Sequence, residues 1–129
     1  MKTKLLNPLT LAYLGDTVLD QHVRTYIVLK LQSKPHRLHQ VAKRYVSAKS
    51  QAQTLDYLME EDYLTEEEQD IMRRGRNAKS HTKAKNTDIQ TYRKSSGLEA
   101  VLGYLYLEQE ETRLSSLLDH IIDIVNERK

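Results

Sequence analysis

Apolar side chains recur along this chain at intervals of three and four, the spacing of one face of an α-helix, and no run alternates β-branched and polar residues between hairpin turns. Asn7-Pro8 reads as an N-cap followed by proline at the first helical position, and Leu11, Leu14, Val18, Leu19, Val23, Tyr26 and Ile27 carry the apolar face onward. Ser33-Lys34-Pro35 closes a short linker and opens a second helix with Leu38, Val41, Ala42 and Tyr45 inward. A turn at Val46-Ser47 starts a third, capped by Ser47 and carrying Ala48, Ala52, Leu55, Leu58 and Met59. Thr65 and Glu68 fit a capping box, and Glu66 and Glu67 suit the positive end of a helix. That fourth helix passes Ile71 and Met72 and is predicted to end near Gly75. Asn77 to Thr91 lacks an apolar stripe and reads as an exposed loop, long enough to favour a functional role. A fifth helix resumes at about Thr91, with Leu98, Leu102, Leu105 and Tyr106 inward and Ala100 and Gly103 permitting close packing. The last runs from about Thr112 with Leu114, Leu117, Leu118, Ile121, Ile122 and Val125, a stripe wide enough to finish a core or to face a partner subunit. The pattern predicts one all-α domain, a helical bundle over residues 1–129.

Composition narrows the setting. A chain of 129 residues buries roughly two-thirds of its unfolded surface, enough for a real core. It has no cysteine, which excludes disulfides, zinc-thiolate sites and thiol nucleophiles and makes a reducing cytoplasm the simplest home. No apolar run approaches the ~20 residues of a membrane span. The N-terminal stretch, basic then apolar, is broken early by Asp16 and reads as mature protein, not as a signal peptide.

Charge is segregated along the chain. From residue 73 to residue 94 there are eight bases (Arg73, Arg74, Arg76, Lys79, Lys83, Lys85, Arg93 and Lys94) and one acid, Asp88, on a chain whose net charge is only +2. Lys34, Arg37, Lys43, Arg44 and Lys49 form a second stretch without acids. Solvated surfaces are the plain explanation of such clusters, and one face meeting an anionic partner is the specific one.

Two acids interrupt apolar helices: Asp16 directly after Gly15, and Glu99 directly after Leu98. A half-buried carboxylate is costly unless paired, hydrogen-bonded or bound to a cation. If their helices pack together, the two would form an oxygen-only site suited to magnesium, although helical acids are more often solvated or paired with a base. Gly15 points the same way, because glycine inside a helix costs ~1 kcal/mol against alanine and usually has a packing reason. Five histidines show no metal-site spacing and read as surface residues. Asp20, four residues after Asp16, could support it from behind but reads more simply as a solvated or lysine-paired acid, and Tyr13, Tyr104 and Tyr106 read as core aromatics with a polar tip.

LAYLGDTVLD around Asp16 resembles the signature of the ribonuclease III family, and LEAVLGYLYLE around Glu99 resembles its second motif. VSAKSQA (residues 46–52) and RRGRNAKS (residues 73–80) are similar to the Mini-ribonuclease III branch, which lacks an appended double-stranded-RNA-binding domain. Order, spacing and total length match that branch. Full-length ribonucleases III use four acids; here two of the four positions hold Ala12 and Ser96, a reduced set that the branch shares.

The resemblance implies a homodimeric ribonuclease III-like endonuclease fold, with Asp16 and Glu99 as catalytic and metal-binding residues and Mg2+ as cofactor. Leu11, Leu14, Val18 and Leu19 become candidates for the dimer contact. With no separate binding domain, the catalytic domain must grip the RNA itself. A duplex is read by shape, phosphates and 2′-hydroxyls, so the expected contacts are Lys43, Arg44, Lys49, Arg73, Arg74, Arg76, Asn77, Lys79, Ser80, Lys83 and Lys85, the later ones in a basic loop around 73–94. The implied substrate is the paired end of the 23S ribosomal RNA precursor, presented with help from a large-subunit ribosomal protein. The alternative reading is a non-catalytic RNA-binding ribosome-assembly factor on the same fold.

Overall fold

The computed structural model describes residues 2–79 and 88–128. A short 3-10 turn over Thr3–Leu5 precedes six helices: α1 Pro8–Lys30, α2 Pro35–Val46, α3 Ala48–Glu60, α4 Glu66–Asn77, α5 Ile89–Leu107 and α6 Glu111–Glu127. The described residues contain no strand.

The predicted start signals act as expected. Asn7 accepts a hydrogen bond from the Leu9 amide (2.8 Å) with Pro8 at the first position. Ser47 caps α3, accepting from the Ser50 amide at 3.2 Å. Thr65 and Glu68 form the full capping box. Glu68 is also buried beside Arg113, whose guanidinium donates to both of its carboxylate oxygens at 2.8 and 2.7 Å and so ties α4 to α6.

Three boundaries move. Helix α5 begins at Ile89 because Asp88 accepts from the Thr91 amide (2.8 Å), a cap that the missing apolar stripe concealed. Helix α6 begins one residue early, at Glu111. Helix α4 does not end at Gly75 but continues to Asn77. Gly75 is a packing residue: a Cβ there would meet Ala100 Cβ at 2.9 Å and the Ser96 carbonyl at 3.0 Å.

Helix α5 is the centre of the bundle. Ten of its residues are buried, and α1, α3 and α4 lie against it on different sides. A helix buried nearly all round must let its neighbours approach at more than one face, and glycine makes that possible. Gly15 of α1 sits on the backbone of Glu99, and Gly103 of α5 sits on the backbone of Leu11. A Cβ would fall 1.8 Å from the Glu99 carbonyl oxygen in the first case and 2.0 Å from the Leu11 carbonyl oxygen in the second.

Two tyrosines depart from expectation. Tyr104 is buried, but Tyr13 is 84% exposed and Tyr106 53% exposed. Tyr13 lies two residues from both Leu11 and Gly15, which turns it to the opposite side of α1 from the crossing.

In an open helix, Gly103→Ala would stabilise by up to ~1 kcal/mol. At this crossing the added methyl forces the helices apart, and Gly15→Ala or Gly103→Ala should destabilise by about 3 kcal/mol or more. Urea unfolding of either variant checks the sign.

Candidate active site

The α1–α5 crossing sets the site. Gly15 brings α1 onto the Glu99 peptide, and the next residue, Asp16, then stands beside the Glu99 side chain. The two carboxyl groups meet within hydrogen-bonding reach, Asp16 on the exposed side and Glu99 half-buried. Burial, joined by a shared hydrogen bond with Asp16 and the like charge of that neighbour, pushes the Glu99 carboxyl up to about 8, with the Gln51 hydrogen bond pulling the other way.

A third side chain completes the site. Gln51 of α3 is 3% exposed, and its Nε2 donates both to Glu99 Oε2 (3.2 Å) and to the Val46 carbonyl (2.9 Å). The Val46 carbonyl can only accept, which fixes the amide with its nitrogen toward Glu99. The Gln51 Oε1 is buried and has no partner among the described residues. Sequence reasoning passed over Gln51; its one signal was its place in VSAKSQA, beside the Ser47 cap.

The two carboxylates offer oxygen ligands only, the chemistry preferred by a hard divalent cation. An orphaned buried acceptor costs free energy that a water or hydroxyl donor would recover. Among the described residues, no set of three or more His, Asp or Glu side chains gathers to hold a metal, here or elsewhere, so the site offers the Asp16–Glu99 pair alone. Ala12 and Ser96, where fuller relatives place acids, are buried and add no charge.

Predicted basic residues are carried by α2, α3 and α4. Lys43, Arg44 and Lys49 surround the elbow between α2 and α3, close to Gln51 in sequence, with their side chains exposed. Arg73 and Asn77 are exposed in the last turns of α4, and Lys79 is exposed just beyond it. The Arg76 side chain packs beside Gly97, two residues before Glu99. Arg74 differs from the others: it donates to the Lys4 carbonyl at 2.7 Å and the Leu6 carbonyl at 3.4 Å, holding the N-terminal segment against α4. Ser80, Lys83 and Lys85 lie outside the described residues. Asp20 pairs with Arg24 at 2.9 Å.

The expected dimer residues divide. Leu11 and Leu19 are fully buried within their own chain, so they belong to the core and present nothing to a second copy. Leu14 and Val18 are partly exposed.

The family model described as "Ribonuclease III domain" matches residues 9–110. A Mini-ribonuclease 3 of Staphylococcus aureus is 75% identical over 125 residues, covering 97% of this chain and 93% of that one. A Mini-ribonuclease 3 of Streptococcus pneumoniae is 49% identical, covering 94% of each chain. The crystal structure of a protein from Fusobacterium nucleatum superposes with a TM-score of 0.80 at 26% identity, over 92% of this chain and 93% of that one. The chain belongs to the Mini-ribonuclease 3 family and is an endoribonuclease.

The raised Glu99 carboxyl has a consequence for metal-free protein. The folded chain holds a proton there that the unfolded chain has released, so the contribution to stability is full below pH 4.5 and is lost as pH rises toward about 8. Urea unfolding in chelator at pH 5 and at pH 8 should show a loss with rising pH that is smaller in Glu99→Gln. Parallel pH dependences would remove the burial argument.

Proposed function

We propose that the chain is a magnesium-dependent endoribonuclease that hydrolyses double-stranded RNA and matures the ends of the 23S ribosomal RNA precursor in the cytoplasm. The observation that supports this reading is the meeting of Asp16 and Glu99, with the Gln51 amide clamped to one of them. Asp16 and Glu99 would hold the cation, with the Gln51 amide N–H positioning the Glu99 carboxylate. When bound, magnesium supplies a water of lowered pKa and neutralises charge gathering on the scissile phosphate. The chain's own part is to fix the two carboxylates before substrate arrives. Glu99 is anchored through its backbone by Gly15 and through its side chain by Gln51, and Asp16 faces solvent where the duplex would lie. Hydrolysis with the 3′-oxygen leaving gives 5′-phosphate and 3′-hydroxyl ends.

Binding falls to Lys43, Arg44, Lys49, Arg73, Arg76, Asn77 and Lys79, with Ser80, Lys83 and Lys85 continuing the basic segment. Two copies pairing through α1 would bring two such sites together to cut both strands. Partly exposed Leu14 and Val18, and exposed Tyr13 on the same helix, support that contact. A large-subunit ribosomal protein would present the precursor stem.

Cleavage of a short RNA duplex and of a precursor stem, with and without magnesium, tests the reading. Asp16→Asn preserves size and removes the charge; it should cut at least about 100-fold more slowly, the scale on which loss of one charge-stabilising group is felt. Binding of either RNA without cutting by the wild type would overturn it.

The two neighbouring arginines should separate in the same assays. Arg76→Ala should weaken duplex binding with little change in stability. Arg74→Ala should lower the urea midpoint as well, by about 1 kcal/mol of stability, because it unties two carbonyls. Equal midpoints for the two variants would place Arg74 with the free bases.

A further inference from the structure

A recess of about 280 Å3 opens where the α2–α3 elbow meets the end of α6. Arg44, Ser47, Lys49, Ser50, Gln53 and Arg128 line it, and no acid does. Arg128 belongs to neither basic stretch of the sequence; it is the C-cap of α6. Its guanidinium is pinned along one edge, donating to the Ser50 carbonyl at 3.2 Å and to Ser50 Oγ at 2.8 Å. Ser50 is itself only 4% exposed, so the anchor is rigid. The remaining N–H groups of Arg128 are left for the recess.

Uncompensated charge is the notable property of this place. Arg24, Lys94 and Arg113 each find a carboxylate, whereas Arg44, Lys49 and Arg128 form no ion pair among the described residues. Burial presses against the charge of Arg128; Tyr57 offsets part of that, and the nearby Arg44 adds to it. Like charges gathered and partly desolvated in this way are relieved by an anion. The positive end of α3 opens onto the same recess: Ser47 Oγ satisfies the Ser50 amide, and the amides of Ala48 and Lys49 precede it in the first turn. No aromatic side chain lines the recess, so it offers a base no stacking surface. Its chemistry suits a phosphodiester oxyanion of a polynucleotide strand. Gln51, the residue after Ser50, touches Glu99, so the recess sits beside the acid pair along α3.

We propose that Arg128, with Arg44 and Lys49, forms a phosphate subsite that grips an internal backbone phosphate of the RNA strand beside the one being cut. The proposal rests on the nuclease reading and deepens it: the strand is held from the far end of the chain as well as from the basic segment after α4.

The test is duplex affinity across a salt series, with the full chain in chelator so that nothing is cut. The duplex carries 5′-hydroxyl ends, so only internal phosphates are offered. Arg128→Gln should bind about five- to ten-fold more weakly at moderate salt and lower the salt slope by about one counterion. Arg128→Lys should recover part of both. Arg44 is exposed, so Arg44→Gln gives a second reading free of folding effects, and its slope should fall likewise. Wild-type slopes in Arg128→Gln and Arg44→Gln, with the wild type still binding and cutting duplex RNA, would overturn the subsite and leave the nuclease reading intact. A wild type that neither binds nor cuts the duplex would overturn both.

Discussion

The crossing of α1 over α5 is the constraint on which the rest of the molecule depends. Gly15 and Gly103 are reciprocal: each removes its own side chain so that the other helix's backbone can lie where a Cβ would be. Contact this close fixes the rotation of α1 about its axis as well as the separation of the two helices. Rotation decides where the residue after the glycine stands, and it sets Asp16 at the exposed edge of the crossing beside Glu99. The apolar stripe from Leu11 through Leu19 to Ile27 then takes up the core beneath. A packing requirement and a chemical one are thus met by the same two glycines.

Around that crossing, the site is assembled from three helices with different duties. Helix α5 supplies a carboxylate from inside the bundle, helix α1 one from its surface, and helix α3 an amide that orients the first. Burial, reinforced by the hydrogen bond and like charge of Asp16, makes Glu99 hold its proton well above the ordinary carboxylate range. Such a pair is uncomfortable alone and comfortable around a cation, a balance common where function outweighs local stability.

The local rules were legible where a side chain acts on its own neighbourhood. Asn7, Ser47 and the Thr65–Glu68 box each declare a helix start within four residues, and each does so in the fold. Asp16 and Glu99 stood out because they break apolar periodicity, and the four motifs in order named the family. What the sequence concealed depends on partners distant along the chain. Gly75 looks like a helix end until Ala100 and Gly97 lie against it. Leu11 and Leu19 could serve a core or an interface, and only the burial by α5 and its neighbours assigns them to the core. Tyr13 reads as apolar by composition, yet faces outward because two residues along a helix is more than half a turn. Gln51 is an ordinary polar residue in the chain and acquires meaning only when Val46 and Glu99 surround its amide.

The central position of α5 also bears on how the site can be lost. Proteins commonly shed activity through opening of a loop or a terminal helix while the remainder stays folded. Here the more buried acid of the pair is seated on the helix against which α1, α3 and α4 all pack, so no peripheral fluctuation detaches it. Amide exchange of α5 should follow whole-molecule unfolding. The acid pair would then come apart only with the bundle and re-form as it refolds.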